Sequence, residues 1–140
     1  MADLTKFAPT RKDEFEQLAR ERKEDFDALR KVGRWTASVY IGPYIVEARL
    51  KFKICEALKL ERLPAILKTH DLYALAIYAG MLEELKALPK IFDNFGRINI
   101  IHADAAWRYK IVDPSHQATS DRLTEWLFNL NDGVMTWLGL

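Results

Sequence analysis

The sequence predicts an all-α fold, an antiparallel bundle of four or five helices formed by one domain over residues 1–140. Apolar residues recur at three- and four-residue steps through most of the chain. Six Gly and five Pro in 140 residues are too few to punctuate a strand-and-turn architecture. A chain of this length also buries roughly two-thirds of the surface its unfolded form exposes, enough for one core.

The first helix is expected over residues 10–31. Charges of both signs dominate it, Phe15, Leu18, Phe26 and Leu29 form a narrow apolar stripe, and Thr10 followed by Asp13 supplies a cap. Mixed signs mark a solvated face, so the segment is read as a helix lying on the bundle rather than an arm gripping a partner. Gly33 separates it from a core over 34–138 that begins with a second helix, Arg34 to about Leu60. There Trp35, Val39, Gly42, Val46, Leu50, Ile54, Ala57 and Leu58 recur at helical steps. Tyr40, Ile41 and Tyr44 widen its apolar surface beyond one stripe, the mark of a helix central to a bundle or at an oligomer interface. Pro43 predicts a kink or a restart, at roughly 3 kcal/mol in a regular helix interior. Leu63-Pro64 ends the element.

Thr69 or His70-Asp71 opens a third helix carrying Leu72, Leu75, Ala76 and Tyr78; Gly80 breaks it, Met81 to Leu88 resume the pattern, and Pro89 closes it. From Ile91 onwards the pattern is divided, since Ile98-Asn99-Ile100-Ile101 reads as helix or as a short extended run, and a helix is expected over Ala103 to Trp107. Lys110 to Thr119 contain Asp113-Pro114-Ser115 and no apolar period, so a loop is expected. Ser120 or Asp121 caps a last helix that places Leu123, Trp126, Leu127, Leu130, Val134, Trp137 and Leu138 on a core face.

Composition removes several function classes. A net charge of +1 gives no global electrostatic case for nucleic acid, so such a site would have to be local. Cys55 is alone, which excludes an intramolecular disulfide, and its apolar neighbours predict a small buried residue rather than a reactive thiol. No metal-ligand spacing, phosphate-cradling glycine loop or nucleophile elbow is found. Met1 to Lys6 lack the order of a signal peptide and no window approaches a membrane span, so a cytoplasmic location is expected.

Tyr40-Ile41-Gly42 through Tyr44, Glu47-Ala48-Arg49-Leu50-Lys51, Lys68-Thr69-His70-Asp71-Leu72, and Trp107-Arg108-Tyr109 before a loop and a final helix together resemble the HEPN domain. This family of small helical bundles is matched over most of residues 34–138, with Pro43 departing from its unbroken helix. The resemblance implies either a metal-independent ribonuclease of a defence or toxin module, or an inactive relative that binds a nucleotide, RNA or a partner protein. The family's nucleases carry an Arg followed after four to six residues by a His and work as dimers. Arg97 and His102 fit that spacing, with Ile98 where the family often places a polar residue. Arg108 and His116 form a longer second pairing, and Arg108-Tyr109 resembles the inactive type. A homodimer through the second or last helix, a nucleotidyltransferase-like partner and no cofactor are expected on this basis.

Metal-free RNA cleavage needs a base for the 2′-hydroxyl proton and a fixed positive charge for the phosphorane-like transition state. His102 and Arg97 are of those types, with Glu47 to orient them. Residues five apart point roughly 140° from each other on a regular helix. A shared cleft therefore requires a helix start, as Gly96 offers, a bend, or a second subunit. The structural alternative pairs Arg97 with Asp93 one turn earlier and makes His102 a packing residue. Glu47 has Lys51 one turn on as a surface ion pair, and His70-Asp71 reads as a helix-start device. Arg108, Tyr109 and Lys110 beside Trp107 form a candidate binding surface that stacks on a base and clamps a phosphate. Asp104, one turn before Arg108, offers a plain salt bridge instead. The tryptophans are otherwise core or interface anchors.

Overall fold

Arg11 begins the first helix in the computed structural model, which describes residues 9–140; the leader expectation over Met1 to Lys6 lies outside the described residues. The Glu14 side chain accepts from the Arg11 backbone N–H at 3.0 Å, so the first turn is closed by Glu14 rather than by Thr10 with Asp13. The elements that follow are α1 (Lys12–Lys31), α2 (Trp35–Ala57), α3 (Leu72–Tyr78), α4 (Leu82–Lys86), α5 (Pro89–Ala103), α6 (His116–Phe128) and α7 (Val134–Leu138). Single 3-10 turns occupy Ala65–Leu67 and Ala105–Arg108. The fold is all-α, with seven packed helices and no strand among the described residues. None of these helices is long and apolar enough to cross a membrane.

α2 is the central helix, touching α1, α3, α5, α6 and α7. It runs through Pro43 as one element and does not restart. Pro43 is itself buried, so packing around a 23-residue helix outweighs the lost backbone bond. Gly33, at φ +73°, supplies the left-handed turn that folds α2 back along α1. Gly42 lets three helices approach: a Cβ there would lie 2.7 Å from Leu123 Cδ2 and 3.1 Å from Phe26 Cε2. The core around this crossing includes Ile45, Leu50, Ile54, Leu75, Phe95, Ile98, Leu127 and Met135. Cys55 is buried within it, and that burial pushes the thiol up, as an unreactive packing residue requires.

Two polar ties cross the core. Arg30 donates to Ser120 Oγ at 2.6 Å, Ser120 meets Ser38 Oγ at 2.6 Å, and Ser38 donates to the Trp35 carbonyl. At the other end Arg49 donates to the carbonyls of Leu138 and Gly139, holding α7 against α2.

The helix count exceeds the four or five expected because local signals divide longer patterns. Gly80, at φ +70°, separates α3 from α4. Pro89 opens α5 instead of closing the element before it; at the first helical position its missing N–H costs nothing. Ile98 to Ile101 resolve as helix, with Ile98 in the core and Ile100 in solvent. The helix expected over Ala103 to Trp107 is a 3-10 turn, because Asp104 leaves helical conformation and caps the next turn through Ala106 N–H at 3.0 Å. α6 starts at His116, four residues before the expected cap and inside the expected loop, after Asp113 accepts from Ser115 N–H. The last helix is split: Asn129 Oδ1 accepts from Asn131 and Asp132 N–H, turning the chain and leaving Leu130 87% exposed rather than on the core face.

Candidate functional site

Glu47 lies on the face of α2 that fronts the start of α3 and the end of α5, and it is buried. Its Oε1 accepts from His70 Nδ1 at 2.6 Å and from His102 Nε2 at 2.9 Å. Its Oε2 meets Lys51 Nζ at 3.3 Å, one helical turn on. Burial alone would raise the carboxyl; the His102 bond, the Lys51 charge and the His70 bond outweigh it and hold Glu47 down at about 2. An ionised acceptor fixes the proton on the facing nitrogen of each ring. Neutral His70 is therefore the Nδ1–H tautomer, with its Nε2 lone pair directed away from Glu47.

The two imidazoles differ in access. The His102 side chain, in the last turn of α5, is 3% exposed and stands edge-on to Tyr44 at 4.6 Å. The His70 side chain is 68% exposed. Its place is set by the start of α3. Asp71 caps Tyr73 N–H at 3.0 Å, Thr69 Oγ1 accepts from Asp71 N–H, and Leu72 N–H donates to Asn99 Oδ1 on α5. The helix-start role read for His70-Asp71 thus belongs to Asp71, while His70 faces Glu47.

Two clefts meet at His70. One, about 490 Å³, has walls from Phe15, Leu18, Ile41 and Tyr44, with Glu47, Lys51 and Lys68 along it. The other, about 510 Å³, is bordered by His70, Asp71, Tyr73, Asn99, His102 and Arg108. The Arg108 guanidinium lies beside the Tyr44 phenol, a contact that holds it more firmly protonated. Burial and the Tyr40 hydroxyl push Tyr44 up against the pull of Arg108.

Of the residues singled out in the sequence, Glu47 and His102 are in direct contact, and Arg108 borders the same cleft as His102. Arg97 borders neither cleft; it donates to Asn94 Oδ1 at 3.0 Å instead of pairing with Asp93. Tyr109 is 82% exposed, and Lys110 Nζ sits 4.6 Å over the Trp107 ring, so neither contacts Glu47, His70 or His102. His116 bonds Thr36 Oγ1 and packs on Trp107, away from the Glu47 cluster.

His70 is the participant that sequence spacing missed. Its partner is 23 positions earlier, on α2, and only the fold closes that distance. The same closure assembles donors that no spacing motif announced: Glu47 Oε1, His70 Nδ1 and His102 Nε2 lie within 4.8 Å of one another. No family model, no curated protein and no solved structure matches this chain.

Proposed function

We propose that this chain is a HEPN-like helical domain of a defence or toxin module that cleaves RNA without a metal, with His70 rather than His102 as the general base. The observation that carries the reading is an exposed imidazole held through Nδ1 by a buried carboxylate, in a cleft that also presents Arg108. On this reading His70 Nε2 takes the 2′-hydroxyl proton, and the 2′-oxygen attacks phosphorus. The bond to the 5′-oxygen breaks and that oxygen takes a proton from water, leaving a 2′,3′-cyclic phosphate and a 5′-hydroxyl. Arg108 balances the charge that develops on the phosphoryl oxygens. Glu47 stabilises the imidazolium, and His102 fixes Glu47 from the buried side.

Tyr109, Ile111 and Val112 follow Arg108 as exposed apolar residues. A homodimer covering them would bring two clefts near one another, and a nucleotidyltransferase-like partner would be an alternative occupant of the same strip. The test is incubation of the purified protein with end-labelled single-stranded RNA in excess chelator, beside His70→Ala. Cleavage to 2′,3′-cyclic ends by the wild type alone supports the reading; equal cleavage by both proteins removes His70 as the base.

A second reading, a non-catalytic module for RNA or a nucleotide, is favoured by a different observation. Arg108 and Lys110 border one cleft of about 190 Å³ with Tyr40 and Trp107, which pairs positive charge with aromatic stacking faces. It predicts binding that Arg108→Ala weakens, with no activity to lose.

A further inference from the structure

We infer that Glu47, His70 and His102 form a binding site for one divalent transition-metal ion, Zn²⁺ foremost. Both imidazole nitrogens converge on the same carboxylate oxygen, at 2.6 and 2.9 Å, while the other oxygen is occupied by Lys51. Ligand bonds of about 2.0–2.1 Å place neighbouring tetrahedral donors about 3.3 Å apart. Seating an ion among these three atoms therefore requires Oε1 to draw back from both nitrogens, which with it already lie within 4.8 Å of one another.

Two imidazoles and one carboxylate are the ligand chemistry of zinc and of non-haem iron sites. The three donors come from α2, from the residue before the α3 cap, and from the last turn of α5, so packing assembles them without any ion. Lys51 on Oε2 leaves Glu47 a single free oxygen and makes it a monodentate ligand. His70 lies on the solvent side, which leaves the remaining coordination positions open to water or to a small ligand from the clefts. With three protein donors and an open side, the site has the composition of an exchangeable or catalytic centre rather than a closed structural one.

An ion on Nδ1 moves the His70 ring proton to Nε2 and removes the lone pair a base needs. Metal and base therefore exclude one another. This exclusion rests on the catalytic reading above; the binding does not.

The binding is tested with the full chain and no RNA. The chelator-stripped protein is titrated with Zn²⁺ in competition with a chromophoric chelator, and with Co²⁺ while visible absorption is recorded. One ion per chain is expected, with affinity falling at least about 100-fold in His70→Ala and in Glu47→Gln, and unchanged in His116→Ala. His70 is exposed, so His70→Ala stays folded, which circular dichroism checks, even where Glu47→Gln does not. Absence of stoichiometric binding by the wild type, or binding that His70→Ala leaves intact, overturns the site whether or not the protein cuts RNA.

Discussion

His70 Nδ1 rests 2.6 Å from Glu47 Oε1, a pair separated by 23 positions in sequence and by a wide difference in exposure, 68% against 9% for their side chains. Reach and orientation are thereby divided between two residues. The imidazole meets solvent, and the carboxylate that sets its tautomer stays out of water.

Activity should follow that division. His70→Ala is expected to lower RNA cleavage by about 10²–10⁴-fold, the usual contribution of a positioned base, whereas Arg97→Ala leaves it unchanged because Arg97 borders neither cleft. Single-turnover assays in chelator, reading cyclic-phosphate ends, compare the two. A loss confined to Arg97→Ala would remove His70 as the base and give the charge-stabilising role to Arg97 instead of Arg108.

His102→Ala should cost stability as well as rate. The side chain is buried and donates to an ionised carboxylate, so its removal leaves a cavity and takes a charge-assisted bond from Glu47. A loss of about 2–4 kcal/mol in urea unfolding is expected. A midpoint equal to that of the wild type would show that His102 contributes no packing.

Glu47 makes the fold sensitive to acid. Its folded value of about 2 lies below the ordinary 4.5, so its contribution is fully present above the unfolded value and is lost as pH falls from there through the folded one. That contribution is on the order of 3 kcal/mol. Melting temperatures measured downward from about pH 5 should fall for the wild type more steeply than for Glu47→Gln; parallel curves would assign the acid sensitivity elsewhere.

Gly42→Ala should destabilise the crossing of α1, α2 and α6 by about 1–3 kcal/mol, as overpacking does. The added methyl meets Leu123 and Phe26 at distances that force one of them to shift. Coupling with Leu123→Ala in a double-mutant cycle checks that the clash, rather than helix propensity, is responsible; additive effects would point to the backbone.

Micromolar Zn²⁺ added without chelator should inhibit cleavage by the wild type, and chelator should restore it. Equal inhibition by Mg²⁺, which two imidazoles and one carboxylate do not favour, would mean that the effect does not come from this site.

The sequence carries the helices where one apolar period runs uninterrupted, as from Phe15 to Phe26 and from Val39 to Ile54. It carries boundaries less well, because a punctuating residue has two uses. Pro89 ends one pattern and begins another with equal chemistry, and Asn129 turns the chain inside a stretch whose apolar spacing continues. Glu47 and His102 are legible only through the resemblance, Glu47 in its Glu-Ala-Arg-Leu-Lys stretch and His102 through its spacing from an arginine. Arg97 was legible only through its distance from His102, and distance along a helix does not tell which way a guanidinium points. His70 was hidden because its neighbour cap, Asp71, accounts for a polar pair at a helix start, and contact with Glu47 depends on how α3 docks on α2.

The placement of Glu47 on the central helix and of His70 in the stretch between helices gives the pair unequal lifetimes against solvent. Backbone amides of α2 around Glu47 sit in ladder bonds under five other helices and should exchange with deuterium only when the whole molecule opens. Those between residues 59 and 70, held by one 3-10 turn and a few loop bonds, should exchange far sooner through small local openings. Each such opening detaches the imidazole while the carboxylate stays where it was, so the site comes apart and re-forms from one side, faster than the protein unfolds.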